Sequence, residues 1–218
     1  MKKILLSFLI ISTFACTNNT DNHNRSEVDY DSYGDSSSPS DLKINTQLSS
    51  IKWTGSKIHE SHYGTINIDR GVLNIKDDGE LGGGEFVIDM NSLLCTDLSG
   101  KLKEKLEGHL KDEDFFDVQN FPKSVIKITN IARYAVAPGP KYPTYEITAD
   151  LSIKDITHSI IFDAQVIKQE INHEVTANFK IDRTKWEIEY NSGNFFENLG
   201  DKLILDEIEF DIHLISQE

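Results

Sequence analysis

Cysteine, proline and cationic side chains are all scarce in this sequence. With 2 Cys in 218 residues, one of them close to the N-terminus, a disulfide-stapled scaffold is excluded and packing has to hold the fold together. Only 5 Pro and 13 Gly rule out collagenous and low-complexity chains. Lys and Arg number 22 against 36 Asp and Glu, giving a formal net charge of −14 and a pI near 4.9. That balance excludes a binder of nucleic-acid backbones, whose affinity rests on clustered cations. A long hydrophobic run is missing as well: mean hydropathy is −0.38, and the one apolar stretch, near the start, is too brief to cross a hydrocarbon layer of about 30 Å. There is no Gly-x-Ser-x-Gly elbow, and the run Gly82-Gly83-Gly84 leads into no helix start and no Lys, so it is not a phosphate loop. What is present is 38% hydrophobic with 11 Phe and 7 Tyr, enough for one packed domain plus tails.

Met1-Lys2-Lys3 followed by Ile4-Leu5-Leu6-Ser7-Phe8-Leu9-Ile10-Ile11 has the cationic start and short apolar core of an export signal. Thr13-Phe14-Ala15-Cys16 resembles a bacterial lipobox in Ala15 and Cys16, while Thr13 and Phe14 depart from the usual Leu and small residue. The expected organisation is a lipoprotein signal over 1–15, a flexible polar linker over 16–42 beginning with the lipidated Cys16, and one domain over 43–218. An ordinary secretory signal with an incidental cysteine is the other reading. An acylated Cys16 has no thiol left for Cys95, which sits among Leu93, Leu94 and Leu98 as a small core residue. The linker is Asn, Asp, Ser and Thr with Tyr30 and Tyr33 as its aromatics, a composition that cannot repay the entropy of ordering. The expected location is the bacterial cell envelope, lipid-anchored to a membrane, periplasmic or outer-membrane associated.

Beyond Leu42 the hydrophobic period becomes two. Ile171, Val175, Ala177, Phe179 and Ile181 share one face; Tyr145, Ile147, Ala149, Leu151 and Ile153 form another stripe; Ile208, Phe210, Ile212 and Leu214 a third. Further strands start near Ile51, Thr65, Glu85, Val125 and Ser159, which makes about eight by the same alternation. Leu98, Leu102, Leu106 and Leu110 recur every fourth residue and predict one short amphipathic helix. Strands on both sides of it with no βαβ alternation predict an all-β fold. An extended antiparallel barrel of about eight strands is preferred to a sandwich, because each strand has one apolar face and closure removes edges.

A barrel of this size is filled by its own side chains or holds one small ligand. Ala149, Ala164 and Ala177 stand mid-strand on the inward stripes, where Leu or Phe would have filled the lumen. With them Phe86, Ile88, Ile147, Leu151, Phe162, Val175, Phe179 and Phe210 make the predicted lining of a dry tunnel suited to a hydrocarbon chain. A tapered, filled core explains the alanines equally well.

Specific residues then suggest a family. Trp53-Thr54-Gly55-Ser56-Lys57, His62-Tyr63-Gly64, Gly71 and Gly82-Gly83-Gly84-Glu85-Phe86-Val87-Ile88-Asp89-Met90 resemble the opening strands of the YceI-like family. Leu106 to Leu110 leading into Asp114-Phe115-Phe116-Asp117-Val118 and Phe121-Pro122 is similar to its most specific signature. Leu151-Ser152-Ile153-Lys154-Asp155-Ile156-Thr157-His158 follows, with Asp155 where Gly is usual, and then Ile181-Asp182-Arg183-Thr184-Lys185-Trp186. The resemblance implies a lipocalin-like barrel whose tunnel binds an isoprenoid or similar long-chain amphiphile in the envelope, with no enzymatic activity, no cofactor and no catalytic residues to carry over. The Pro-rich insertion Ala137-Pro138-Gly139-Pro140-Lys141-Tyr142-Pro143 lengthens one hairpin.

Four residues are candidates for the tunnel mouth or gate: Phe115, Phe116, Arg183 and Trp186. The Phe pair, with Phe121, either seals the core beneath the helix or walls the tunnel. A guanidinium laid on an aromatic face is the default for Arg183, and a headgroup contact by Arg183 or Lys57 is the alternative. His59 and His62 fall three apart, on opposite faces of a strand, so they do not bind one metal ion without a bulge; His62 and His109 are placed as hydrogen-bonding groups at a barrel end. The acidic run Asp112, Glu113, Asp114 and Asp117 lacks the spacing of a calcium loop. Two further readings stay open: a structural or adhesive module with a filled core, and a metal-assisted enzyme using His59 or His62.

Overall fold

The computed structural model describes residues 27–35, 38, 40–135 and 145–217. Cys16 and the Pro-rich insertion lie outside them. Among the described residues nine strands follow one another: β1 (Asp41–Lys43), β2 (Ser50–Lys57), β3 (Ser61–Ile75), β4 (Leu81–Cys95), β5 (Lys123–Arg133), β6 (Tyr145–Ile153), β7 (Ile156–Lys168), β8 (His173–Asp182) and β9 (Ile204–Ile215), with helix α1 (Gly100–Lys111) between β4 and β5. From β2 to β9 every consecutive pair is antiparallel, and β9 returns to β2 through Ser50 opposite His213, Trp53 opposite Phe210 and Gly55 opposite Ile208. The eight strands therefore close into an antiparallel barrel, as the alternation predicts. β1 covers the stretch of β3 that outruns β2, pairing Asp41, Leu42 and Lys43 with Asn74, Leu73 and Val72. The 15-residue strands β3 and β4 take up three register shifts between them, bends that let long strands wrap a narrow lumen.

The stripes face inward where the alternation places them: Ile147, Ala149, Leu151, Phe179, Ile181, Ile208 and Ile212 are all buried. Two local expectations fail. Ile171 belongs to the turn in which Gln169 N–H donates to the Asn172 carbonyl, ahead of β8, and is exposed. Leu102 is 66% exposed although Leu110 is buried and Leu98 and Leu106 pack on the core, because a repeat of four drifts about 40° per step around a 3.6-residue helix. Helix α1 lies across one end of the barrel. Its end is fastened by Phe116 N–H to the Leu110 carbonyl and Val118 N–H to the Lys111 carbonyl, with Asp117 left-handed at φ 47°. The same end carries the β6–β7 turn, where Lys154 and Asp155 adopt φ of 52° and 59° between the paired Ile153 and Ile156. That mirror-image turn matches strand twist and requires residues tolerant of the left-handed region, and Asp is one.

The region read as an unordered linker is partly docked. Residues 28–34 lie along the outer wall: Arg70 donates from Nη2 to the Tyr30 carbonyl at 2.7 Å and from Nε to the Tyr33 carbonyl at 2.8 Å, and Tyr30 Oη donates to Asp155 Oδ1 at 2.9 Å. Polar groups with fixed partners on the barrel hold this segment, something that composition alone does not reveal.

Candidate functional site

Within the barrel, at the α1 end, lies a cavity of about 80 Å³. β2 contributes Ile51, Trp53 and Gly55; β3 and β4 contribute Ile66, Ile88, Met90 and Leu93; β5 and β6 contribute Ser124, Ile126, Leu151 and Ile153; β8 and β9 contribute Phe179, Ile204, Leu205, Ile208, Phe210 and Ile212. Leu110 of α1, with Phe115, Phe116 and Arg183, closes the end. Leu205 lines the cavity and is itself 42% exposed.

Of the residues expected to line a tunnel, Ile88, Leu151, Phe179 and Phe210 do line this cavity. Phe86, Ile147, Ala149, Phe162, Ala164, Val175 and Ala177 do not. The expectation that the alanines open the hollow is corrected: their end of the lumen is filled. Phe162 stacks on Phe179 with ring centroids 4.6 Å apart, and Phe179 meets Phe210 at 5.7 Å. These rings occupy the level next to the alanines, with Ala149 and Ala164 fully buried in the core cluster and Ala177 packed against it. A small residue on one strand signals space only when no aromatic from a neighbouring strand claims it, and β-strand periodicity carries no information on which rotamer a ring two strands away adopts.

Phe115 and Phe116 are buried, meet edge to face at 5.3 Å, and form cavity wall and core seal at once. Phe121 is not among the lining residues. The Arg183 guanidinium sits over the Phe115 ring at 5.6 Å, not over Trp186. It is wholly buried and donates to the carbonyls of Ile188 at 2.6 Å, Ile204 at 3.2 Å and Leu205 at 3.2 Å, and to Asp206 Oδ1 at 3.2 Å. Burial lowers its pKa, against the pull of Asp206 and Asp182. With its donors spent on β9 and the loop before it, Arg183 is a clamp that shapes the mouth and does not present a free fork to a headgroup. Trp186 is also fully buried but outside the cavity, donating from Nε1 to the Leu151 carbonyl at 3.2 Å.

Two residues that periodicity could not single out stand apart. Trp53 is 7% exposed and Ser124 is 2% exposed; both line the cavity, and Trp53 Nε1 and Ser124 Oγ have no hydrogen-bond partner among the described residues. A buried donor without a partner costs about 1 to 3 kcal/mol, so such groups call for a reason. Trp53 is set by a close approach: a Cβ on Gly64 would run into the Leu94 carbonyl and come within 2.7 Å of the Trp53 ring, so only glycine lets the indole lie there.

The histidines hold structure. His62 Nδ1 is 2.8 Å from Asp97 Oδ2, whose carboxylate also accepts from Tyr63 N–H at 3.0 Å and the Cys95 thiol at 3.1 Å. Burial by itself would raise the Asp97 carboxyl, but His62, the Tyr63 N–H and Cys95 outweigh it and hold the group down at about 2. Burial, then Asp97, pushes the Cys95 thiol up, which keeps it an inert core thiol. His109 packs edge on against Phe115 at 5.7 Å and Tyr190 at 4.4 Å, and contrary to its expected hydrogen-bonding role its buried Nε2 has no partner among the described residues. Among the described residues no three His, Cys, Asp or Glu side chains converge on a point that could hold a metal ion.

The profile of a family described as YceI-like domain matches residues 42–215. The crystal structure of BcnA from Burkholderia cenocepacia superposes with a TM-score of 0.61 over 79% of this chain and 98% of its own, at 17% identity. A polyisoprenoid binding domain from Saccharophagus degradans, implicated in plant cell wall breakdown, gives 0.55 over 82% and 98% at 16% identity. The YCEI protein of Campylobacter jejuni gives 0.51 over 68% and 80% at 16% identity. At these identities the likeness is one of fold. No curated protein matches the chain.

Proposed function

Because this chain belongs to the YceI-like domain family, we propose that its barrel binds one long-chain amphiphile, isoprenoid or fatty, and carries or sequesters it as a lipid-anchored protein of the bacterial envelope. The carrying observation is an apolar cavity inside the barrel, lined in part by Trp53 and Ser124, whose Nε1 and Oγ are buried without a partner among the described residues. The structural relative from Saccharophagus degradans, a polyisoprenoid binding domain by name, supports the same class of ligand. An apolar lining suits the hydrocarbon part of such an amphiphile. The driving force is ample: a chain burying about 400 Å² gains on the order of 10 kcal/mol at roughly 25 cal/mol per Å², before the costs of ordering and association. A volume of about 80 Å³ admits only part of such a chain. The rest of the chain enters only as the stacked Phe162, Phe179 and Phe210 rings move aside.

The small volume favours one other reading, a filled structural module. Native mass spectrometry of the full chain purified without detergent separates the two. Carriage gives a co-purified amphiphile in stoichiometric amount, and a bare chain mass together with no uptake of added polyprenol overturns it.

A further inference from the structure

The chain before the barrel does not depart from the end at which β1 begins. β1 lies with the β3–β4 turn at the end opposite the cavity, since Asp41 pairs with Asn74. Upstream of it, the docked strap runs back along the outside of β3 to β6. Gly34 N–H donates to Glu85 Oε1 at 3.0 Å, the Tyr33 ring lies under Lys127 Nζ at 5.4 Å, Asp31 pairs with Lys123 at 3.2 Å, and Tyr30 ends on Asp155 in the β6–β7 turn. The described chain therefore starts, at Glu27, beside the cavity end. This reversal shortens the reach of anything attached upstream. From Cys16, the eleven residues 17–27 span at most about 40 Å, whereas a tether running free to Asp41 would span about twice that.

The cavity end also shows an apolar rim. Ile58, Phe195, Phe196 and Leu205 are each about half exposed. Ile58 lies in the β2–β3 turn, Phe195 and Phe196 in the loop before β9 and Leu205 at the start of β9, segments that adjoin: Lys57 pairs with Ile204, and Asn194 and Ser192 both donate to Asp206. Single exposed apolar residues are ordinary, but an adjacent Phe pair with two aliphatics at the cavity end is the composition that seats at the boundary between headgroups and acyl chains.

We infer that the barrel docks cavity end down on a lipid bilayer, with the rim of Ile58, Phe195, Phe196 and Leu205 in the interface and the strap 28–34 holding that orientation, so that the cavity opens directly onto lipid. The inference rests on the proposed anchor at Cys16. In this geometry the ligand passes between bilayer and lumen without crossing water, and the strap decides which end of the barrel the membrane meets.

The test couples the full chain through Cys16 to a maleimide lipid in phosphatidylethanolamine and phosphatidylglycerol vesicles that contain brominated acyl chains; Cys95, buried with a raised pKa, is spared. Coupling makes the result independent of natural acylation, which the mass of membrane-extracted protein reads separately, while native mass spectrometry reads ligand. Phe196→Trp at the rim and Ile171→Trp in the β7–β8 turn of the opposite end report contact with acyl chains. The Phe196→Trp emission is expected to be quenched about twofold and shifted to the blue, with Ile171→Trp unchanged. Arg70→Ala, or the milder Tyr30→Phe, is expected to lose at least half of that quenching while far-UV circular dichroism stays the same. Equal quenching at both ends, or none at Phe196→Trp, overturns the docking; quenching unaffected by both strap variants overturns the role of the strap.

Discussion

Trp53 and Ser124, on strands β2 and β5, both line one apolar cavity, and the buried Trp53 Nε1 and Ser124 Oγ have no partner among the described residues. If these groups serve a ligand oxygen, Trp53→Phe and Ser124→Ala each weaken binding of a long-chain alcohol or amide about five- to tenfold, the worth of one hydrogen bond. The same variants bind an alkane of equal length unchanged, and the ligand-free protein is as stable as the parent or about 1 kcal/mol more so. Titration by native mass spectrometry and urea unfolding check both halves. Equal loss for alcohol and alkane would mean that the variants disturb shape alone.

Arg183→Met keeps the bulk and removes the fork. Four acceptors on Ile188, Ile204, Leu205 and Asp206 then lose their donor, and the expected cost is about 3 to 5 kcal/mol in urea unfolding. Arg183→Lys recovers little of it, because one ammonium cannot span that arc. A variant of unchanged stability with reduced ligand binding would return Arg183 to the headgroup role.

Asp97 couples stability to acid. Its carboxyl is held at about 2, below the ordinary 3.8, so the contribution is complete above about pH 4 and is lost as the pH falls through about 2. Asp97→Asn is expected to cost about 1 to 2 kcal/mol at neutral pH and to flatten the stability profile in that window. Thermal melts from pH 6 to pH 2 show it, and a parent profile already flat there would dismiss the coupling.

Where a side chain blocks binding depends on which end of the lumen is hollow. Ala149→Leu, in the filled half, costs about 1 to 3 kcal/mol of stability by overpacking yet leaves the cavity itself intact. Ile126→Phe, in the cavity wall, lowers ligand occupancy at a similar stability cost. Occupancy measured on the two variants side by side should rank Ile126→Phe well below Ala149→Leu.

The barrel is legible because alternation is local: each residue of Tyr145–Ile153 declares its own face, and eight such segments without βαβ spacing leave few architectures. The cavity is much less so. Ile88, Leu151, Phe179 and Phe210 follow from the stripes, but the level at which the lumen stays open depends on how the Phe162 and Phe179 rings stack across strands. Trp53 and Ser124 escape pattern reading for a related reason: an unsatisfied N–H is a property of the surroundings, and a stripe records only polarity. The docked strap is hidden too, since Arg70 and Asp155 read as ordinary charges until folding brings them to Tyr30.

The seam between β2 and β9 joins the first long strand to the last, with Ser49 bonded to Ile215 across a separation of 166 residues. No segment of the polypeptide that lacks β9 can therefore possess an enclosed interior; the twelve residues of that strand act as the stave that completes the cask. Such a late, sequence-distant zipping step is expected to be slow relative to hairpin formation, and it leaves a period during which the half-made vessel lies open along its whole length.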